Sequence, residues 1–469
     1  MILNTIPRFS CRQCIRKLSK LSAAKKPSVV PNENVMNDIS NEVYKPRKHP
    51  GRMDSSVVTL PNTFVKAVLN TVEDYPLKPL IEASNKMFWH LRGKLAPKEK
   101  EELIETIDKV QDRVLTKCKY KDPDSAEAER RILQSVNNKI GKGLREKIYN
   151  WKPIKYDEYT ALVYLMARAP AEYAVLMKIF GEIAKRDPEF TPRSLFDFGS
   201  GVGTVTWAAN AYWKQHIFEY FNVDTSADMN DLAEILLKGG KGNGKTSVKG
   251  TFYRQFLPAS HAEYDLVTSA YSFMELPSLE NRLEVALNLW NKTHKYLVIV
   301  EQGTYAGFKI VNEIRDFILQ ADKEAKGHIF SPCPHDNICP RFASKDGKPC
   351  NFKVRYNCMP IGKKVEMKHE LYSYVVLKKG DHSNDLNWPR VVKPILVRTK
   401  HSVCRICTAN GKLREVIFTA KRHGKLTYHC ARSSNWGDLL PMSIEDAETL
   451  DCTAEVSDNE ADHDTSENK

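Results

Sequence analysis

From about Asn62 to Phe190 the apolar positions recur at three- and four-residue spacing. In PKEKEELIETIDKVQDRVLTKC (97–118), Leu103, Ile107, Val110 and Val114 form one stripe, which predicts an amphipathic helix. DSAEAERRILQSVNNKIGKGLREKIYNW follows, with Asp124 or Ser125 placed to cap its start. YTALVYLMARAPAEYAVLMKIFGEIAKR (159–186) is apolar on almost every face, and Pro170 predicts two helices with a break between them.

After Pro192 the pattern changes to short apolar runs alternating with helical stretches. SLFDFGSG, FEYFNVD (218–224), TFYRQF, YDLVTSAYSF (264–273) and YLVIVEQGT (296–304) read as strands. TVTWAANAYWKQ, MNDLAEILLK and PSLENRLEVALNLWNKT read as the helices between them. That alternation predicts an α/β, doubly wound parallel sheet over 191–326. From 327 to 442 the chain becomes a Pro-, Cys- and His-rich module, with YSYVVLKK (372–379), REVIFTAKR and KLTYHCAR predicted as antiparallel strands. A helical region (62–190) precedes the sheet. A Pro-, Asn- and Lys-rich stretch (32–61) is expected to be a linker, and an acidic tail (443–469) is expected to be disordered.

Charge sharpens this division. The net +13 splits into −9 on residues 440–469 and +22 on the rest, a basic body suited to a polyanion such as RNA. No apolar run reaches the roughly 18 residues of a membrane span. Residues 1–31 hold no acid, seven bases (Arg8, Arg12, Arg16, Lys17, Lys20, Lys25, Lys26) and four serines. This is the composition of a mitochondrial transit peptide rather than a secretory signal. A reducing compartment then leaves metal ligation or burial, not disulfides, for the cysteines outside it.

Two glycine-rich stretches invite a phosphate or nucleotide reading. GGKGNGKT (239–246) matches a P-loop letter for letter, but the predicted order around it is helix, loop, strand, the reverse of what converging backbone N–H groups need. FDFGSGVGTVTWAA (196–209) sits correctly between strand and helix. Gly199 and Gly201 permit a tight turn, Gly203 permits close helix packing, and Asp224 ends the next strand where an acid binds ribose hydroxyls. With Asp197 ahead of the glycines, the stretch resembles motif I of class I S-adenosylmethionine methyltransferases. The fourth strand, TSAYSFMELPS (268–278), carries no Asn-Pro-Pro-Tyr-like element and no Pro-Cys pair. No catalytic residue is therefore assigned.

The cysteines past residue 330 are Cys333, Cys339, Cys350, Cys358, Cys404, Cys407 and Cys430. Four thiolates suit tetrahedral zinc or an iron–sulfur cluster, and this spacing does not choose between them. In TAKRHGKLTYHCARSSNW (419–436), Lys421, Arg422, Lys425 and Arg432 interleave with Tyr428 and Trp436, as in an RNA surface that neutralises phosphate and stacks on bases.

ARAPAEYAVL, PRSLFDFGSGVGTVTWAA, LVIVEQGTYAGF, CPHDNICP and YHCARSSNWGDLLP together span about 155–441. They resemble the mitochondrial methyltransferase-like protein 17 family. The resemblance implies a Rossmann-like class I methyltransferase fold with an N-terminal helical region and a C-terminal Cys-rich β extension. It implies S-adenosylmethionine held by Asp197, Gly199, Gly201, Gly203 and Asp224, without methyl transfer. It also implies a [4Fe–4S] cluster on Cys333, Cys339, Cys350 and Cys407, with Cys404 the alternative to Cys407 and Cys358 to Cys350. The expected partners are the mitochondrial small ribosomal subunit and its rRNA, bound in the matrix by a monomer. The competing expectation is an active rRNA methyltransferase with structural zinc.

Overall fold

The computed structural model describes residues 27–445, except 54–55, 118–124, 149–152, 259–261, 322–326, 362–364 and 381–385. The stretch expected to be a transit peptide lies outside the described residues over 1–26, and so does the acidic tail from 446. The chain divides into two units, one comprising Met1–Val30 and Ile444–Lys469 and the other Pro31–Ser443.

The helices of eight or more residues in the larger unit are α1 (Glu33–Ser40), α2 (Asn62–Thr71), α3 (Leu77–Arg92), α4 (Lys100–Lys117), α5 (Ala126–Ile148), α6 (Glu158–Arg186), α7 (Thr204–Trp213), α8 (Ala227–Leu237), α9 (Leu279–Asn291), α10 (Tyr305–Ala321) and α11 (Lys425–Ser433). Ser125 Oγ accepts from Ala128 N at 3.2 Å at the start of α5, satisfying one orphan donor of the first turn. The expected break at Pro170 does not occur: α6 runs unbroken through it. Proline removes one backbone hydrogen bond. Here Arg168, Ala169, Pro170, Ala171 and Glu172 are all buried, so packing on both sides holds the helix together through the defect.

The main sheet contains β1 (Ser194–Phe198), β2 (Glu219–Val223), β3 (Thr251–Arg254), β4 (Tyr264–Ala270), β5 (Thr293–Gln302), β6 (His328–Ser331), β7 (Phe352–Asn357) and β8 (Met367–Lys378). Its order is β3-β2-β1-β4-β5-β8-β6, with β7 also paired to β8. The first five strands are parallel, while β8 runs antiparallel to β5, β6 and β7. Alternate side chains enter two cores. Leu195, Leu266, Tyr296, Val298 and Val300 join the α6 and α7 side. Phe196, Val267, Leu297 and Ile299 join the side of α9 and α10. A parallel sheet buried on both faces gives this near-continuous apolar strand pattern, and strand order reverses direction between β1 and β4, where such folds bind ligands.

A smaller antiparallel sheet comes after it in the chain, built of β9 (Arg390–Val391), β10 (Leu396–Val397), β11 (Ser402–Cys407) and β12 (Leu413–Phe418). KLTYHCAR is helix α11, not the expected strand. Thr427, Tyr428, Cys430 and Ala431 are its buried positions, a helical stripe that eight residues of mixed polarity do not distinguish from strand alternation. The expected linker 32–61 is ordered where described. It carries α1, buries His49 with Nε2 2.9 Å from Ser434 Oγ, and pairs Arg52 with Asp438 at 2.8 Å. The P-loop-like stretch lies between helix α8 and strand β3, as its flanks predicted. Among the described residues no helix is long and apolar enough to cross a membrane.

Candidate functional site

The loop after β1 is shaped by glycine. Gly199, Gly201 and Gly203 have φ of +70°, +50° and +79°, a region that side chains with a Cβ rarely adopt. A Cβ on Gly199 would also stand 2.0 Å from Ser272 Oγ. Gly199 N and Ser200 N donate to Val223 O at 2.7 and 3.0 Å, binding the loop to the end of β2. Asp224, just beyond, accepts from Gly201 N and Ser226 N, both at 2.9 Å. The structure thus brings Asp197, Gly199, Gly201, Gly203 and Asp224 together at the switch point of the sheet.

The electrostatics around this loop are acidic. Asp197 is fully buried, and among the described residues neither carboxylate oxygen has a hydrogen-bond partner. Burial pushes its pKa well up, and the nearby Asp224 and Glu172 push it further. Burial also raises Asp224 and Glu172, the latter opposed by Arg168. Glu172 has Arg168 3.5 Å away, but the unpartnered Asp197 and the half-buried Asp224 beside it call for a donor-bearing, positively charged group. The ammonium and sulfonium of S-adenosylmethionine fit that requirement, and Asp197 and Asp224 would hold it.

The walls include residues the motif did not reveal. Tyr164 Oη donates to Glu172 Oε1, and the Tyr164 and Tyr156 rings meet edge to face with centroids 5.4 Å apart. Arg168 Nη1 donates to Glu370 Oε1 at 3.1 Å and lies 4.8 Å over the Tyr271 ring. Tyr164, Arg168 and Glu172 recur every fourth residue on α6, so three polar groups on one face of an apolar helix were the available signal. Glu301, at the end of β5, accepts from Met274 N at 3.1 Å through one oxygen, while the other has no partner among the described residues. Lys94, from the loop after α3, pairs with Glu275 against this wall.

The Cys-rich module gathers thiols from four separate stretches. Cys333 follows β6, Cys339 opens a short turn of helix, Cys350 precedes β7, and Cys407 ends β11. All four line one cavity of about 20 Å³ beside Arg390 and Lys393. Cys333, Cys339 and Cys350 also line a second, equally small one with Arg315. Burial pushes Cys333 up to about 11 against the pull of Arg315. Cys407 is raised well above its ordinary value by burial and then by Cys333, Cys350 and Cys339. These thiols disfavour one another's ionisation, a balance that a cation among them reverses. As placed, no group of three or more His, Cys, Asp or Glu side chains is arranged to hold a metal among the described residues. The donor chemistry suits a thiolate-bound metal, and the four thiols share a cavity rather than a coordination shell. Cys404 packs elsewhere, its Sγ 3.8 Å from Ala431 O, and Cys358 and Cys430 line neither cavity.

The basic stretch 419–436 is divided by the fold. Lys421, Arg422 and Lys425 are exposed at the start of α11 and the turn before it. Tyr428 is buried, so its ring is covered and the expected stacking role does not hold. Arg432 and Trp436 line a separate cleft.

The family model described as "Mitochondrial small ribosomal subunit Rsm22" matches residues 158–441, from the first turn of α6 to the end of the C-terminal module. The chain belongs to the Rsm22 family. This Rsm22-family protein is 37% identical over 402 residues to the human "Ribosome assembly protein METTL17, mitochondrial", covering 84% of this chain and 86% of that one. Two fission yeast (Schizosaccharomyces pombe) proteins, "Rsm22-cox11 tandem protein" 1 and 2, mitochondrial, are 27% identical over 341 residues. That match spans 60% of this chain and 43% of each of theirs. A solved structure of a putative RNA methyltransferase from Pyrococcus horikoshii aligns at 14% identity over 45% of this chain and 83% of that one, with TM-score 0.28. The strand order of the main sheet, and not that alignment, carries the fold.

Proposed function

We propose that this Rsm22-family protein assists assembly of the mitochondrial small ribosomal subunit. The observation that carries the reading is the 37% identity, over most of both chains, to a human protein named for mitochondrial ribosome assembly. The family description adds the small subunit, and the strongly basic body suits an RNA-rich partner. The site of action in this reading is the mitochondrial matrix, where the protein binds the immature subunit and its rRNA as a monomer.

Asp197, Gly199, Gly201, Gly203 and Asp224 are the residues proposed to hold S-adenosylmethionine, with the orphaned Asp197 carboxyl as the supporting observation. The pocket binds without transferring a methyl group in this reading. Tyr271 and Ser272 stand at the end of β4 where an acceptor-binding motif is absent, and Tyr164, Arg168 and Glu370 fill the adjoining wall. Cys333, Cys339, Cys350 and Cys407 are proposed to hold a [4Fe–4S] cluster. Such a cluster supplies a rigid four-thiolate cross-link between the main sheet and the small one.

The test is depletion of the protein in cells, followed by sucrose-gradient sedimentation of mitochondrial extracts. Loss of mature small subunits with accumulation of lighter, rRNA-containing precursors is the expected result. A normal gradient with one rRNA methylation missing overturns it in favour of the methyltransferase reading.

A further inference from the structure

A cleft of about 950 Å³ opens between α6, β7 and the segment after α11. Among the described residues its lining holds no cysteine and none of the glycines 199–203. The volume lies in the range of roughly 300–1,000 Å³ that encloses a drug-sized ligand, so it is large enough to take more than one nucleotide.

The lining is cationic. Lys178 and Lys185 lie seven residues apart on α6, which places them on one face. On β7, Phe352, Val354 and Tyr356 are buried while Lys353 and Arg355 between them are exposed, so both bases face the same side of the strand. Arg432 completes the lining bases. Among the described residues two acids share the wall, and both are neutralised. Glu182 pairs with Arg390 and Arg186, and Asp438 with Arg52. Among the described residues no ion pair engages Lys353.

Aromatic groups accompany the charge. Trp436 has a buried indole N–H with no hydrogen-bond partner among the described residues, and Lys393 Nζ lies 5.3 Å from its ring. Tyr212 is 38% exposed in the same cleft. Cations beside aromatic faces in a concave groove match single-stranded nucleic acid, whose bases stack while its phosphates are neutralised. An acidic peptide uses the charge but not the rings, and a duplex keeps its bases stacked away from them. Pro394, Ile395 and Val397 extend the wall into an exposed arm that carries Arg398 and Lys400. That basic continuation suits a strand longer than one nucleotide.

We infer that this cleft binds a single-stranded RNA segment, with phosphates toward Lys353 and Arg355 and a base against Trp436. The inference rests on the assembly-factor reading and assigns its RNA contact to a surface distinct from Lys421, Arg422 and Lys425, none of which lines the cleft.

The experiment measures fluorescence anisotropy of the full chain with a labelled 12-nucleotide single-stranded RNA. The same RNA annealed to its complement and a Glu-rich 12-residue peptide serve as competitors. Lys353→Glu/Arg355→Glu, at two exposed positions and with its melting curve checked, is expected to weaken binding about ten-fold or more. It is also expected to flatten the log K against log salt slope by about 1.4, at roughly 0.7 per phosphate contact. Lys421→Glu/Arg422→Glu is expected to bind like wild type. If that second pair loses binding and the first does not, the cleft is refuted while the assembly reading stands. Stronger competition by duplex or peptide than by single strand also refutes it. Wild-type protein that binds no RNA yet cosediments with the small subunit rejects the cleft alone; protein that does neither sinks the assembly reading too.

Discussion

Arg390 Nη2 donates to Glu182 Oε1 at 2.6 Å, and both side chains are almost completely buried. Arg390 belongs to the small sheet and Glu182 to α6, so this pair joins the C-terminal module to the sheet-bearing domain. Arg390 also donates through Nε to Pro332 O at 2.9 Å, through Nη2 to Ser331 Oγ at 3.2 Å and through Nη1 to Gly437 O at 2.7 Å. One guanidinium therefore holds the start of the Cys333 loop, the end of the cleft wall and the helix. Tyr374 Oη, 3.1 Å from Glu182 Oε2, completes the shell around the carboxylate.

Replacing only Arg390 leaves the buried Glu182 carboxylate with Arg186 as its remaining ion-pair partner and strips the donor from Ser331, Pro332 and Gly437. Arg390→Met is expected to destabilise the protein by about 3–5 kcal/mol, whereas Arg390→Met/Glu182→Leu recovers much of that loss. Chemical denaturation of both variants checks this, and a single variant within about 1 kcal/mol of wild type refutes it. The pair also sets an acid limit. Burial alone would raise the Glu182 carboxyl, but Arg390 and Arg186 overcome it and hold the pKa at about 2. A depressed carboxylate contributes its stability above the ordinary value of 4.5, and that contribution is lost as pH falls toward 2. Wild type should lose stability across that window, and the double variant should lose less.

Glu301 has the opposite sign. Burial, with Glu275 nearby, pushes its carboxyl up to about 8 against the Met274 N–H. The folded state therefore holds a proton that the unfolded state releases above about 4.5. Stability falls by up to about 1.4 kcal/mol per pH unit between those two values. Glu301→Gln is expected to match wild type near pH 4.5 and to be the more stable protein, by on the order of 2–4 kcal/mol, at pH 8. Parallel melting curves for the two proteins over that range would contradict the assignment.

Gly199 tests the cofactor loop. Alanine there meets Ser272 Oγ at 2.0 Å and Ser272 Cβ at 2.5 Å, at a φ of +70°. Gly199→Ala is expected to abolish S-adenosylmethionine binding by calorimetry and to destabilise the fold. Ser272→Gly in the same chain removes the colliding atoms but not the left-handed backbone, leaving a deficit of about 1–2 kcal/mol. Full binding by Gly199→Ala alone would detach this loop from the proposed ligand.

What the sequence disclosed depends on how local each feature is. The loop from Asp197 to Gly203 needs only its own strand, turn and helix, so its spacing was readable. Pro170 followed the local rule for breaking helices, and the burial of α6 on both sides overrode it. The stretch 32–61 looked like a linker because its partners, Ser434 for His49 and Asp438 for Arg52 and Met53, stand more than 380 residues away. Arg168 was visible as a charge in an apolar helix, but its partner Glu370 is 202 residues distant. Lys353 and Arg355 become a binding surface only once β7 faces α6. The thiols fall between these cases: their number suits the proposed metal, while the choice between Cys404 and Cys407 depends on which end of β11 meets the Cys333 loop.

That choice gives the most direct test of the metal proposal. Cys407 shares the cavity with Cys333, Cys339 and Cys350, and its Sγ lies 3.3 Å from His335 Nε2. Cys404, three residues earlier on the same strand, sits against α11 instead. Cys407→Ser and Cys333→Ser are expected to purify anaerobically with at most half the metal of wild type, and Cys404→Ser and Cys358→Ser with all of it. Iron and sulfide at about four each per chain, with a broad absorption near ~400 nm, identify the cluster. About one zinc with no iron identifies a tetrahedral staple instead. If Cys404→Ser empties the site and Cys407→Ser does not, β11 must shift its register on binding metal, and the four-thiol cavity is not the coordination site. Metal-free wild type that still supports small-subunit assembly would reduce the four thiols to buried packing groups.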